Sequence, residues 1–158
     1  MPNCESFEPH PQPGQIWEDL NRRFGLTSGD FREYRLWRHP DRPTIWIAQQ
    51  DLGPSRAAQV ESMGIPVMRH PPPRGLPTTA FLQRFGHLAR KSVLQVQEEA
   101  ITSLMLGYSL NWCENGLRDG PFILRCGWII LGRGWIRNGN LHLDAPKEWR
   151  KSLQNSRS

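Results

Sequence analysis

The sequence predicts an α+β protein, with an N-terminal α/β segment packed against a C-terminal β pseudobarrel. Three observations predict it. Up to residue 95, apolar residues at helical spacing are interleaved with short alternating runs. After residue 106 the chain becomes a series of short apolar runs separated by tight-turn residues, a pattern of small barrels more than of open sheets. Seven Trp and six Phe supply large buried areas, enough for the core of one ordinary domain or two small ones in 158 residues.

Residues 1–14 hold Pro2, Pro9, Pro11 and Pro13. Proline removes a backbone donor and restrains its predecessor, so this stretch is expected to be a flexible lead-in. The first domain-sized segment is expected over 15–95. Ile16, Trp17, Leu20 and Phe24 mark a helix from Gln15, with Gly25 as its stop. A second short helix is expected from Ser28, with Phe31 and Tyr34 facing inward. YRLWRH and TIWIAQQ then alternate around HPDRP and read as a hairpin. A helix over 54–63 and a strand in GIPVMRH follow. HPPPRGLP breaks the pattern, since consecutive prolines cannot sit inside a sheet. Thr78 or Thr79 is positioned to cap a helix ending near Leu88, and KSVLQV reads as a strand.

The second domain is expected over 96–151. A helix from Gln97 to Leu106 places Glu98 and Glu99 in its first turn, where the helix dipole favours anions, and Gly107 ends it. GYSLNW, PFILRC, WIILGRGWIRN and LHL read as strands. Asn115-Gly116, Asp119-Gly120 and Asn138-Gly139-Asn140 supply the turns between them. Residues 152–158 are expected to fray as a flexible tail.

Lys and Arg outnumber Asp and Glu by 20 to 15, a balance that favours polyanionic partners, nucleic acid before membrane. Cys4, Cys113 and Cys126 are odd in number and form no CxxC pair, which argues against a disulfide framework or zinc site. Cys113 and Cys126 fall in apolar strand contexts and read as buried small hydrophobes. With no apolar run near 20 residues and no basic-then-apolar start, the expectation is a cytoplasmic protein. His39, His70, His87 and His142 are scattered, and no serine has a G-x-S-x-G setting. The chain is therefore expected to be no enzyme, with no cofactor and no metal.

The stretch LGRGWIRNGNLHLDAPKEWR resembles the PUA-like domain that closes the bacterial rRNA cytosine-5 methyltransferases of the RsmF and Sun type. Leu131, Gly132 and Gly134 stand at the family's L-G-x-G positions, Gly139 and Leu141 at its middle positions. Pro146, Lys147 and Arg150 complete the pattern at unchanged spacing. EEAITSLMLGYSL is similar to the helix-Gly-strand opening of that domain, and FGLTSGDFREYRLWRHPDRPTIWIA with GIPVMRH to the α/β segment before it. The resemblance covers most of residues 15–151, with its specific motif in the last forty or so. A family Lys is replaced by Trp135, and a Lys-Asn pair by His142-Leu143, so positive charge is lost there. The chain has no Pro-Cys nucleophile and no GxGxxG turn for a methyl donor. The resemblance thus implies the RNA-binding end of such an enzyme without the enzyme.

The residues themselves point the same way. Residues 116–151 hold Arg118, Arg125, Arg133, Arg137, Lys147, Arg150 and Lys151 against Asp119, Asp144 and Glu148, seven cations to three anions. In an extended strand Arg133, Trp135 and Arg137 share a face, where guanidinium groups can pair with phosphates and an indole can stack on a base. The competing reading makes Trp135 core and the arginines a solvated rim. Gly132 and Gly134 permit either close approach of RNA or a tight barrel bend. Lys147 and Arg150, after Pro146, are either a phosphate-binding turn or an ordinary basic tail. Arg69, His70 and Arg74 read as a solvated loop.

The leading expectation is a non-catalytic module binding structured rRNA or tRNA through phosphate and shape, with Arg125, Arg133, Trp135, Arg137, Lys147 and Arg150 in contact, in support of RNA modification or ribosome biogenesis. One alternative is a protein-interaction subunit that kept the fold but lost RNA affinity, motivated by Trp135 and Leu143. Another is a recognition subunit that delivers a methyltransferase or works with a ribosome-assembly protein.

Overall fold

A computed structural model describes residues 7–51, 63–113 and 116–156. The protein is α+β, and the chain divides into two compact units, Met1–Phe81 and Leu82–Ser158. Among the described residues, no helix is long and apolar enough to cross a membrane.

The first unit is built on a four-stranded antiparallel sheet in the order β1-β2-β3-β4 (Glu8–Pro9, Tyr34–His39, Arg42–Gln49 and Ile65–Met68). The expected hairpin forms β2 and β3 around Pro40-Asp41, and its register sets Leu36 opposite Ile47 and Trp37 opposite Trp46. Helix α1 (Pro13–Phe24) takes up the last two residues of the stretch expected to be a flexible lead-in. Proline suits a first turn, where its missing N–H would have no partner anyway. Gly25 ends the helix at φ 66°, a left-handed cap that glycine takes without Cβ strain.

The lead-in expectation fails for residues 7–14. Phe7 is buried against Trp46, with ring centroids 5.7 Å apart, and Glu8–Pro9 pair with β2. Pro9 is tolerated because β1 lies at the edge of the sheet. Next to it, burial and then the charge of Arg38 lower the His10 pKa, and His10 Nδ1 accepts the Gln12 N–H at 3.1 Å.

The helix expected from Ser28 is a single 3-10 turn, Ser28–Phe31. Asp30 Oδ2 accepts the Thr27 N–H at 3.0 Å, and the buried Phe31 stacks between Trp17 and Phe81. Tyr34 opens β2 instead of facing inward from a helix. The proline-rich loop is tied down by Arg23. Its guanidinium pairs with the buried Asp19 and donates to the Gly75 carbonyl at 2.6 Å. Gly75 has no alternative there, since a Cβ would sit 1.6 Å from the His70 carbonyl oxygen. Arg69, His70 and Arg74 are exposed, in keeping with a solvated loop. The helix expected over 54–63 falls outside the described residues, apart from Met63.

Helix α2 (Thr79–Phe85) is capped by Thr78, whose hydroxyl accepts the Phe81 N–H at 3.1 Å, and runs into a 3-10 turn, Gly86–Leu88. The second unit holds a five-stranded mixed sheet in the order β5-β7-β8-β9-β6. Its strands are β5 (Val93–Gln95), β6 (Leu110–Asn111), β7 (Gly120–Cys126), β8 (Ile129–Arg137) and β9 (Asn140–Leu143). Leu82–Gln95, which the sequence groups with the first segment, fall in this unit because β5 pairs in parallel with β7. The sheet curls as a half-barrel, with β5 and β6 as its two edges.

GYSLNW contributes only Leu110–Asn111 to the sheet. The expected Asn138-Gly139 turn forms, with φ of 51° and 75°. Two successive left-handed residues match the twist of a two-residue hairpin. The core lies on one face, where Leu94, Phe122, Leu124, Ile136, Leu141 and Leu143 join Leu104 of α3 (Glu98–Met105). Of the expected frayed tail, residues 152–155 are helical. Helix α4 spans Lys147–Asn155 and packs Trp149 against this core, so an apolar anchor holds its first turns.

Candidate nucleic-acid interface

The face of β8 opposite the core carries the residues of interest. Gly132, Gly134 and Ile136 are buried, while Arg133, Trp135 and Arg137 alternate with them on the other side. The three therefore share one face, as the strand period requires. The Asn138-Gly139 turn then sets the neighbours on β9, placing His142 opposite Trp135 and Asn140 opposite Arg137. These residues surround a shallow cleft of about 350 Å³. Strand β8 contributes Arg133, Gly134, Trp135 and Arg137, while His142, Leu143 and Asp144 come from β9 and its exit.

Trp135 lines the cleft and is partly exposed, which favours a contact surface over a core position. Arg137 is exposed and pairs with Asn140 through the β8–β9 ladder. Arg133 is different. Its Nε donates to Asp144 Oδ2 at 3.0 Å, a second guanidinium nitrogen contacts the same oxygen, and the Asp144 N–H donates to the Arg133 carbonyl at 2.9 Å. With Asp144 side chain 55% exposed, this pair contributes little to stability but offsets one cation of the cleft.

The glycines are resolved by their surroundings. A Cβ on Gly134 would stand 2.6 Å from Leu124 Cγ, inside a fully buried side chain, so Gly134 serves core packing. Gly132 has φ 141° beside the register shift at Leu124/Arg125, which is a strand bend. Leu131 packs on the same core. Gly139 completes the hairpin turn, and Pro146 sits immediately before α4.

Arg125 lies on the same outer face, where its Nε donates to Gln95 at 3.1 Å. Ile123 and Ile130 lie between it and Arg133, under the Gly86–Leu88 turn. A Cβ built on Gly86 would come within 3.3 Å of Ile130 and 3.6 Å of Ile123. Arg125 is thereby separated from the cleft. Lys147 and Arg150 do not form the expected short turn, because α4 begins at Lys147. Arg150 lies over Gly107 just past the end of α3, its Cζ 3.2 Å from where a Cβ would stand. A cation there complements the helix dipole.

Leu143 is buried at 4% exposure, so it forms no exposed apolar patch with Trp135. Cys113 is exposed, contrary to expectation, and Cys126 is partly buried. His142, Asp144 and Asn140 were not singled out as contacts from sequence. A two-residue hairpin turn at Asn138-Gly139 nonetheless dictates their positions, since counting outward from it pairs 137 with 140 and 135 with 142. Among the described residues, no three His, Cys, Asp or Glu side chains group as metal ligands. No protein-family model matches this chain, and no curated protein matches it either.

Proposed function

We propose that this protein is a non-catalytic RNA-binding module whose second unit is a PUA-like domain, and that it recognises structured rRNA or tRNA through phosphate and shape contacts. The supporting observation is the cleft in which Arg133, Trp135 and Arg137 stand on one open sheet face beside His142. Two guanidinium groups flanking an indole combine phosphate neutralisation with a stacking surface. The sequence resemblance to the RsmF and Sun type enzymes supports the same reading, as does the net charge of +5. Work alongside a methyltransferase or in ribosome assembly belongs to this proposal as well.

The test is a fluorescence-anisotropy titration of a folded RNA at about 50 and 200 mM salt. Affinity falls at the higher salt, with a slope of roughly 0.7–0.9 for each phosphate neutralised. A chain that binds no RNA at the lower salt ends the proposal. The alternative of a protein-interaction subunit then takes its place. That alternative draws on the hairpin tip between β7 and β8, where Trp128 is 87% exposed.

A further inference from the structure

The RNA-binding reading leaves open whether the ligand is a double helix or an unpaired segment, and on that reading the sheet register bears directly on the choice. The outer face of this sheet is unevenly covered. On its β7 side, Ile123 is fully buried beside Gly86, so nothing can lie flat there. From β8 onward the same face presents Trp135, Arg137, His142 and Asn140, of which Trp135 is partly exposed and the others exposed.

The register carries this strip one strand further. Asn140 pairs with Asn111 of the edge strand β6, so the two asparagines stand on the face that holds His142 and Trp135. Asn111 is exposed, and its Oδ1 accepts the Cys113 thiol at 2.9 Å. Across β8, β9 and β6 the strip is about 10 Å wide. Open sheets use such a width to stack about two or three bases.

We infer that this strip binds an unpaired RNA segment. A base would lie on Trp135 within the cleft, its phosphates on Arg137 and the neighbouring arginine, and the next base edge at Asn140 and Asn111. Three features point to this class of ligand. An indole on an open sheet can stack only on a base that is not already stacked in a duplex. The cleft of about 350 Å³ lies at the lower end of small-ligand pockets, a scale that suits a single base. Asparagine amides carry both donors and acceptors, which match the Watson–Crick edges that are free in an unpaired base and taken up in a duplex.

The experiment compares the full chain with a labelled 12-nucleotide single-stranded RNA and with the same strand in a blunt duplex, at about 50 mM salt. The single strand is expected to bind about ten-fold more tightly. Trp135→Ala is expected to weaken the single strand about ten-fold and leave the duplex unchanged, while Trp135→Phe keeps most of the binding because a ring remains. Duplex binding as tight as single-strand binding, or an equal loss of both in Trp135→Ala, overturns this inference while the RNA-binding reading stands. Absence of binding to either RNA, and to a folded RNA, overturns both. If Trp135→Ala does not fold, the ratio of single-strand to duplex affinity in the unaltered chain decides alone.

Discussion

Two cross-strand aromatic pairs, one in each unit, have opposite fates. Trp37 faces Trp46 across β2 and β3, while Trp135 faces His142 across β8 and β9. Each pair lies on a hairpin, Trp37–Trp46 beyond the Pro40-Asp41 turn and a register shift at Arg38/His39, Trp135–His142 directly beyond Asn138-Gly139. In the first unit Phe7 folds back onto the pair, so Trp37 and Trp46 are 0% and 6% exposed. In the second unit the pair lines an open cleft, with Trp135 partly exposed and His142 exposed. An aromatic on a strand becomes core or contact surface according to what covers its face, and propensity does not distinguish the two.

The largest expected effect tests this contrast at the two indoles. Trp46→Ala should cost about 3–5 kcal/mol of stability, as removal of a buried aromatic does. Trp135→Ala should cost about 1 kcal/mol, with its main effect on RNA. Chemical denaturation measures both, and equal losses would mean that the Trp135 face is not open.

A second substitution probes the two sides of one strand. Gly134→Ala places a methyl against Leu124 on the core face and should destabilise by about 1–3 kcal/mol through overpacking. RNA affinity of the folded fraction should not change, because the outer face is untouched. A loss of RNA binding without loss of stability would assign Gly134 to the interface instead.

The smallest expected effect concerns the anion beside the cleft. Asp144→Asn releases Arg133 from its carboxylate and should tighten RNA binding a few-fold, steepening the salt slope by up to about 0.7–0.9 for one further phosphate contact. Stability should change by less than about 0.5 kcal/mol, since the pair is exposed. Unchanged affinity and slope would show that Arg133 does not meet phosphate.

Much of the fold is legible where local chemistry decides it. The Gly25 and Gly107 stops, the Thr78 cap and both hairpins fall where turn and cap residues predict them. The errors share a cause. Phe7 sits in a polar, proline-rich stretch that looks unstructured yet is buried against Trp46, and residues 152–155 continue a helix whose partly buried Trp149 packs on the core. A single anchor leaves no periodic pattern to read. The candidate site divides in the same way. The alignment of Arg133, Trp135 and Arg137 follows from the strand period, whereas the dispersal of Arg125 and Arg150 depends on residues distant in sequence.

By itself, then, the sequence determined the elements that carry caps, turns or a clear period, and the partner of each β8 residue across the Asn138-Gly139 hairpin, because these depend on a few adjacent residues. Only the tertiary structure decided which face of each sheet is covered and that Arg125 and Arg150 stand apart from Trp135. Coverage arises from contacts between segments far apart in the chain, and no local pattern encodes them.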